Sequence, residues 1–311
     1  MSVIRIAFLG TPEFARYQLE SIAKDPHFQI VGVVSQPDRP SGRHMRLTPS
    51  PVKAWAQAHG LKVMTPESAS DPQFLQEIAE WNAEAAVVVA YGQILSQKFL
   101  DIFPLKVVNV HASLLPRWRG AAPIQRAIQA GDEVTGVALQ VMVRRLDAGA
   151  VIGQYSLPIP DTMDSQQLHD ALMPLGAKLL HVDFMDYLRG NLSPTAQNEQ
   201  EVTYAKKIEK DEAFLDWKLS AREVFNQVRA FVMGPGSVCR WGEKKLKIIK
   251  AEPVSGKGKA GTLIEVRDDS FVVACREGAL RVWEVQPESR PKMKVRDFLL
   301  GNKLAQGDVF E

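Results

Sequence analysis

The front two-thirds of the chain alternates short apolar runs with segments of helical pattern. The apolar runs lie at 4–9, 30–34, 62–64, 86–90, 106–110 and 137–143, and the helical patterns at 12–24, 51–59, 72–81, 123–129 and 162–189. Runs that are apolar without alternation are typical of parallel strands that helices cover on both faces. The repetition predicts an α/β fold with a doubly wound, mostly parallel, Rossmann-like sheet. Thr11 is expected to cap the first helix, with Pro12 in its first turn.

The pattern changes after residue 190. Residues 190–204 are rich in polar and turn-forming side chains, as in a linker between domains. A helix is predicted at 221–231, followed by short strands at 238–241, 246–251, 261–266, 271–275 and 280–285, which is the pattern of a small β-barrel. The OB-fold is one five-stranded barrel of this kind, and the sequence does not separate it from its relatives. For this chain of 311 residues we expect a doubly wound domain at 1–189, a linker at 190–204 and an OB-like domain at 205–311.

Several classes of protein lose support from what the sequence lacks. It contains no G-x-G-x-x-G, no phosphate-loop motif and no paired His/Cys cluster, so dinucleotides, phosphate-loop nucleotides and metals are not expected. Cys239 and Cys275 are interpreted as ordinary core thiols. The start resembles no secretory leader, and no apolar run approaches the roughly twenty residues that cross a bilayer. We therefore expect a soluble, cytoplasmic protein without membrane contact.

Charge is distributed unevenly along the chain. Lys, Arg, Asp and Glu give a net charge of −3 for residues 1–205 and +5 for residues 206–311. Lys244, Lys245, Lys247 and Lys250 lie on one short stretch of the basic part. This stretch suits contact with a polyanion, although a solvated strand face explains the charge equally well.

Three polar residues follow predicted strand ends. Asn109 and His111 are two apart on a strand, so their side chains point the same way, and Asp147 follows the next strand. In doubly wound sheets, ligands bind at the carboxyl ends of the strands. Asn109 and His111 could hold the oxyanion of an acyl transfer while Asp147 helps to remove a proton from an attacking amine. Taken singly, each residue is better explained by a structural role, in which Asn109 and His111 satisfy backbone groups and Asp147 caps a turn.

The segments around these residues resemble the folate-dependent formyltransferases, and among them those that act on methionyl-tRNA. The similar segments are Asn109-Val110-His111, 113–123 (SLLPRWRGAAP), 146–149 (LDAG), 10–14 (GTPEF), 36–40 (QPDRP), 49–53 (PSPVK) and 90–95 (AYGQIL). The resemblance extends over nearly the whole chain. It implies transfer of a formyl group from 10-formyltetrahydrofolate to the amino group of methionine on initiator tRNA, with Asn109, His111 and Asp147 as the catalytic trio.

The same resemblance implies binding residues. For the folate these are Ser113, Leu114, Leu115 and Pro116, together with Tyr91, Gln93, Ile94 and Leu95 near the pterin. For the tRNA they are Arg39, Arg43 and Arg46 in one loop, and Lys206, Lys207, Lys244, Lys245 and Lys247 in the basic domain. Where many relatives have a lysine pair in that loop, this chain has His44-Met45, so Arg43 and Arg46 are expected to carry more of the charge.

Three alternatives remain open. The acceptor could be a glycinamide nucleotide or an amino sugar, although the basic second domain argues against the former. The chain could be a non-catalytic RNA-binding protein, which the intact trio argues against. It could also hydrolyse the formyl donor. We expect a monomer.

Overall fold

A computed structural model of the protein describes residues 3–41 and 46–311. The strands in chain order are β1 (Ile4–Gly10), β2 (Phe28–Val34), β3 (Arg39–Ser41), β4 (Arg46–Thr48), β5 (Val63–Met64), β6 (Ala85–Val89), β7 (Val107–His111), β8 (Arg119–Gly120), β9 (Val134–Val141), β10 (Val151–Pro158), β11 (Tyr204–Ala205), β12 (Ser237–Trp241), β13 (Lys244–Val254), β14 (Leu263–Val266), β15 (Phe271–Ala274), β16 (Ala279–Pro287) and β17 (Met293–Lys294).

The α-helices are α1 (Glu13–Ala23), α2 (Pro51–Ala58), α3 (Pro72–Ala79), α4 (Gln97–Leu100), α5 (Pro123–Ala130), α6 (Ser165–Lys178), α7 (Phe184–Leu188), α8 (Ala221–Ala230) and α9 (Val295–Gly301). A π-helical turn, Leu179–Asp183, joins α6 to α7. Side-chain caps fix several starts: Ser50 accepts a hydrogen bond from the backbone N–H of Lys53, and Asp71 from that of Gln73. Each of these caps is followed by proline, whose missing N–H costs nothing in a first turn.

The chain forms two compact units. The first unit consists of residues 1–120, 134–158 and 169–205, and the second unit of residues 121–133, 159–168 and 206–311. Both units are discontinuous in sequence, and helix α5 belongs to the second. The domain boundaries inferred from the sequence stay a prediction.

The first unit is built on a seven-stranded sheet in the order β10-β9-β7-β6-β1-β2-β5. The strands from β7 to β5 are parallel, whereas β9 runs antiparallel to β7 and β10 antiparallel to β9. Residues of β6 and β7 are buried throughout, as their unbroken apolar runs predict. The predicted doubly wound, mostly parallel sheet is confirmed.

Loops that follow different strands meet at the carboxyl edge of this sheet. The Thr11 hydroxyl, after β1, donates to the Tyr91 carbonyl, after β6, at 2.9 Å, and the Gln36 amide, after β2, donates to the same oxygen at 3.2 Å. The predicted capping role of Thr11 is wrong, because α1 has Pro12 at its N-cap and no side chain caps its first turn. These bonds tie together the edge at which ligands bind in such folds.

Strand β10 was not predicted, and neither was a break in the helix expected at 162–189. β10 alternates between partly buried and exposed side chains because it lies at the edge of the sheet. Because exposed positions recur along β10, it lacks the continuous apolar run by which the central strands were predicted. The predicted helix at 162–189 is divided into α6, the π-helical turn and α7.

A chain of hydrogen bonds ties the end of α1 to the π-helical turn. The Asp25 carboxylate accepts from Nδ1 of His181 and from Nδ1 of His27, both at 2.8 Å, and the Ser21 hydroxyl lies 2.8 Å from Nε2 of His181. Burial acts to raise the pKa of Asp25, but hydrogen bonds from the His27 N–H and from both imidazoles lower it by more. The cluster is a structural tie.

The second unit contains an antiparallel sheet in the order β12-β13-β16-β15-β14, with β17 paired to β16. Helix α8 begins with a capping box between Ser220 and Glu223 and packs its apolar face on the sheet. The hydrophobic core of the second unit contains Trp217, Val224, Leu246 and Phe271. A doubly wound domain followed by a small antiparallel β domain was predicted, and this arrangement is confirmed.

The last described residues close this sheet into a barrel. Phe310 bridges to Trp241 in β12, and Val309 bridges to Thr262 beside β14, so one segment pairs with both edge strands. The Phe310 ring is buried and stacks on Phe271 with ring centroids 5.5 Å apart. Closure removes the open edges that otherwise invite aggregation.

Among the residues that the structure describes, no helix combines the length and the apolar character needed to cross a bilayer. Nor do these residues contain a group of three His, Cys, Asp or Glu side chains arranged to hold a metal ion.

Phe310→Ala is expected to destabilise the second unit by about 3–5 kcal/mol, the usual cost of truncating a buried phenylalanine. Urea unfolding followed by tryptophan fluorescence measures the change. Val309→Ala is the control, because Val309 is half exposed and a much smaller loss is expected. Equal midpoints for the Phe310 variant and the unaltered protein would contradict closure by this segment.

Candidate active site

Strand β7 places Asn109 and His111 on one face at the carboxyl edge of the sheet. The two valines that alternate with them face the other side of the sheet. Neighbouring strands cover β7 on both sides, β6 in parallel and β9 in antiparallel register. As a result Asn109 is only 8% exposed and His111 only 6%. The sequence prediction that these two residues share a face is confirmed.

The His111 imidazole is oriented by a backbone carbonyl. Its Nε2 lies 2.8 Å from the oxygen of Trp118, so Nε2 carries the hydrogen and donates it. In the neutral ring the lone pair is then on Nδ1, which lies 3.8 Å from Oδ2 of Asp147. Two acceptors therefore face each other across this gap, and one added proton would turn them into an ion pair.

Both oxygens of the Asp147 carboxylate accept hydrogen bonds. Oδ2 accepts from the backbone N–H of Gly120 at 2.8 Å, and Oδ1 accepts from Nε2 of Gln140 at 3.1 Å. Gln140 is the residue of β9 that pairs directly with Asn109 of β7. Side chains of such a pair lie on the same face. The amide of Gln140 thus connects the strand that carries Asn109 to the loop that carries Asp147.

The Asp147 loop has a backbone conformation that few residues tolerate. Asp147 itself has a φ of +45°, a left-handed value that Asp adopts more readily than most side chains. Gly149 approaches β9 so closely that a Cβ there would lie 1.6 Å from the carbonyl oxygen of Val141. The order Asp-Ala-Gly is therefore needed to return the chain to the sheet.

Gln197 also holds this loop, through hydrogen bonds to its backbone. Its Nε2 donates to the carbonyl oxygens of Asp147, at 2.8 Å, and Gly149, at 2.7 Å. Its Oε1 accepts two hydrogen bonds from the fully buried guanidinium of Arg119. Arg119 also pairs with Glu199 at 2.9 Å. Gln197 and Glu199 lie in the stretch 190–204, which was predicted as a linker, and their contacts hold the loop that carries Asp147.

Sequence reasoning missed Gln140, Gln197 and the Gly120 N–H. Only Gln140 gave a signal, since it is a polar residue inside an otherwise apolar predicted strand, where it is 1% exposed. Gln197 lies 78 residues from Arg119 along the chain. A lone sequence does not reveal a pairing over that distance.

In contrast to Asp147 and His111, the Asn109 carboxamide has no hydrogen-bond partner among the described residues. A nearly buried amide left without a protein partner is suited to a ligand, because leaving it unpaired is costly. The site therefore offers a free N–H donor beside a pair of groups that can share one proton. This combination suits attack on a carbonyl, in which an oxygen gains charge while the nucleophile loses a proton.

The segment from Ser113 to Pro116 follows directly after His111 and is held by its own contacts. The Ser113 hydroxyl donates to the Arg117 carbonyl at 2.6 Å, and Gln154 of β10 donates to the Leu115 carbonyl at 2.8 Å. Ser113 and Leu115 are buried, whereas Leu114 and Pro116 remain partly exposed. The structure brings this predicted folate segment beside the trio.

The segment from Tyr91 to Leu95 follows β6 and divides into different roles. Tyr91 is buried, its hydroxyl has no partner, and burial raises the pKa of Tyr91 to about 12. The Gln93 amide is occupied, since it accepts from Ala69 N–H and donates to the Pro66 carbonyl. Leu95 is buried, while Ile94 is 86% exposed. Of these side chains, Ile94 is the one most open to a ligand.

The predicted basic residues lie on exposed surfaces. Arg39 and Arg46 are exposed on β3 and β4 of the first unit, while Arg43 and His44 lie outside the described residues. In the second unit, the predicted lysines are all exposed: Lys206, Lys207, Lys244, Lys245 and Lys247. Lys244 lies 5.2 Å above the ring of Trp241, so a cation and an aromatic face share one surface.

Comparison with known proteins places this site in context. Residues 4–182 match the family described as formyl transferase, and residues 207–303 match the formyl transferase C-terminal domain. The chain is 55% identical to a methionyl-tRNA formyltransferase from Bdellovibrio bacteriovorus, over 99% of both chains. It is 44% identical to a methionyl-tRNA formyltransferase from Dechloromonas aromatica, again over 99% of both.

A solved structure with a similar fold is that of WlaRD, a sugar 3N-formyl transferase crystallised in the presence of dTDP and 5-N-formyl-THF. The TM-score is 0.66 and the identity 18%, over 94% of this chain and 100% of that one. At this identity the similarity concerns the fold alone.

Gln197→Ala is expected to lower the free energy of unfolding by roughly 1–3 kcal/mol, since it leaves buried partners without their bonds. Backbone amides at 145–150 should also exchange faster, because the two carbonyls that fix the loop are released. Hydrogen exchange with mass spectrometry measures both effects. Gln200→Ala is the control, since Gln200 is exposed and only its backbone N–H is bonded. Unchanged exchange at 145–150 would mean that Gln197 does not hold the loop.

Proposed function

The chain belongs to the methionyl-tRNA formyltransferases within the formyl transferase family, and from this premise we propose how its residues perform the reaction. The resemblance found in the sequence is confirmed by the full-length similarity. The enzyme transfers the formyl group of 10-formyltetrahydrofolate to the α-amino group of methionyl initiator tRNA. The observation that carries our assignment of the site is the free carboxamide of Asn109 beside the His111 and Asp147 pair.

The acceptor amine does not need a strong base. An α-amino group has a pKa of about 7.7–8.0, so a sizeable fraction is neutral and nucleophilic near neutral pH. Its nitrogen forms a bond to the formyl carbon while the carbonyl electron pair moves onto oxygen. Nδ2–H of Asn109 donates to this oxyanion. Because Nε2 of His111 is occupied by Trp118, His111 can assist there only through a protonated Nδ1.

His111 and Asp147 share the proton that the reaction releases. The attacking nitrogen becomes an ammonium in the tetrahedral intermediate, and its excess proton passes to the gap between Nδ1 and Oδ2, directly or through water. Collapse of the intermediate re-forms the carbonyl and breaks the bond from carbon to N10 of the folate. The shared proton then goes to N10, which leaves as the amine of tetrahydrofolate. The trio thus returns to its starting state.

We assign donor binding to the segments next to the trio. Ser113, Leu114, Leu115 and Pro116 form one wall, and Tyr91, Gln93, Ile94 and Leu95 form the other. Buried Ser113 and the occupied amide of Gln93 shape the site, while the more open Ile94 contacts the folate. No metal takes part in this proposal.

For the tRNA, the proposal assigns Arg39, Arg43 and Arg46 in the first unit and Lys206, Lys207, Lys244, Lys245 and Lys247 in the second. Exposure supports this assignment for the described members of the set. We also propose that the protein is a cytoplasmic monomer, because charged tRNA is a cytoplasmic substrate and the proposed site needs no second chain. Light scattering in solution tests the monomer.

The reaction is tested by incubating the protein with 10-formyltetrahydrofolate and methionyl-tRNA. Initiator and elongator methionyl-tRNA are compared, with a nucleotide-linked amino sugar as a third acceptor. Formylation of the initiator tRNA alone is the expected result. Transfer to the sugar, or to none of the acceptors, would overturn the proposed function.

Asn109→Ala is expected to reduce kcat by about 10²–10³, the usual cost of removing one oxyanion donor. The affinity for methionyl-tRNA should stay unchanged, because the amide acts mainly in the transition state. Steady-state kinetics and equilibrium binding separate the two. Asn191→Ala, at an exposed position, is the control. A tenfold loss of tRNA affinity with normal kcat would reject the assignment.

Replacing Lys245 and Lys247 together by alanine is expected to weaken tRNA binding and its dependence on salt. Each lost contact with a duplex phosphate lowers the slope of log K against log salt by about 0.9. The matched control is the replacement of Lys257 and Lys259, which are exposed in the same unit with the same spacing. If both double variants behave alike, β13 has no special role in binding.

A further inference from the structure

The loop between β9 and β10 carries an unusual set of exposed side chains just before the catalytic aspartate. Residues 143–146 read Val-Arg-Arg-Leu and lead directly into Asp147. All four are exposed, including 44% for Val143 and 61% for Leu146. This exposed stretch borders the reacting groups.

The two arginines of this loop differ in their partners. Arg145 forms an ion pair with Glu199, the carboxylate that also pairs with Arg119. Hydrogen bonds to Glu199 from Arg119 and then from Arg145 lower the pKa of this carboxyl, so it remains charged. Arg144 has no ionic or hydrogen-bonded partner among the described residues. One positive charge is therefore left uncompensated, three residues before Asp147.

The acceptor substrate must bring a negative charge to this place. The α-amino group that reacts is part of a methionine esterified to the terminal ribose of the tRNA. The 3′-terminal phosphates are linked to that ribose. When the amine lies at Asn109 and Asp147, these phosphates must therefore lie at the entrance of the site. Arginine is well suited to such a phosphate because its planar guanidinium can donate two parallel hydrogen bonds.

We propose that Arg144 binds a backbone phosphate of the single-stranded 3′ end of the aminoacylated tRNA. Arg145 has a different role, since its charge is used by Glu199 to hold the stretch that carries Gln197. This inference rests on the proposed function, because it needs charged tRNA as the acceptor. It adds a contact within the catalytic loop to the two basic surfaces assigned above.

The first test measures equilibrium binding of methionyl initiator tRNA at several salt concentrations, without the folate. Arg144→Ala should weaken binding and reduce the slope of log K against log salt by about 0.7, the value for one phosphate of a single strand. Arg144→Lys should retain the slope, because it keeps the charge. Lys98→Ala, at an exposed position in α4 of the same unit, should leave it unchanged. A wild-type slope in Arg144→Ala overturns the proposal.

The second test uses an acceptor without phosphate, the methionyl ester of adenosine. With this acceptor, Arg144→Ala and the unaltered enzyme should form product at equal rates, whereas with tRNA the variant should have the lower kcat/KM. A lower kcat/KM of the variant with the ester as well would show that Arg144 does not act by binding a phosphate.

Melting temperatures and the KM for 10-formyltetrahydrofolate should match across the variants. A shift in either for Arg144→Ala would mean that the residue supports the fold or the donor site instead. If the unaltered protein formylates no methionyl-tRNA, the proposed function itself fails. If it does so but the slopes do not differ, this inference alone fails.

Discussion

In a β-sheet, a shift of pairing by one residue turns every side chain to the opposite face, and the site of this protein depends on one such register. Asn109 of β7 pairs with Gln140 of β9, and His111 pairs with Ala138. This register puts the Gln140 amide where it can hold Asp147, and it gives the His111 ring a small neighbour. Because β9 runs antiparallel to β7, the chain leaves β9 at the opposite end from its parallel neighbours and needs a tight loop to return through Asp147.

That loop is stabilised by contacts that come from far along the chain. Gly120 and Gln197 supply hydrogen bonds to Asp147, and both depend on the stretch that ends at β11, which pairs with β8. At Gly120 a Cβ would lie 2.7 Å from the carbonyl oxygen of Ala205, and its φ is +123°, so a side chain is excluded there. The Asp147 carboxylate is thus fixed by pairing between segments that are distant in sequence.

The sequence predicted what depends on local pattern. Unbroken apolar runs located β6 and β7, and the rule that ligands bind at the carboxyl ends of strands was enough to place Asn109 and His111 at a ligand edge. Asp147 needed the resemblance as well, since a turn aspartate has many ordinary explanations. The role of Gln197 was not predicted, because composition does not distinguish a linker from a polar segment that packs against the site. β10 was missed because an edge strand alternates and gives only half of the apolar signal.

The distribution of hydrogen bonds separates structural groups from chemical ones. Hydrogen bonds are formed by Asp147, Gln140, Gln197 and the Nε2 of His111. Each bond restricts the orientation of its side chain and so keeps the geometry of the site constant. The Asn109 amide, the Nδ1 of His111 and the guanidinium of Arg144 have no such bond among the described residues. The Asn109 amide is nearly buried, and a buried donor without a partner lowers stability, so stability alone does not account for leaving it unpaired. In the reaction proposed above, an oxyanion, a proton and a phosphate each need a group that is not already engaged, and these three groups can supply them.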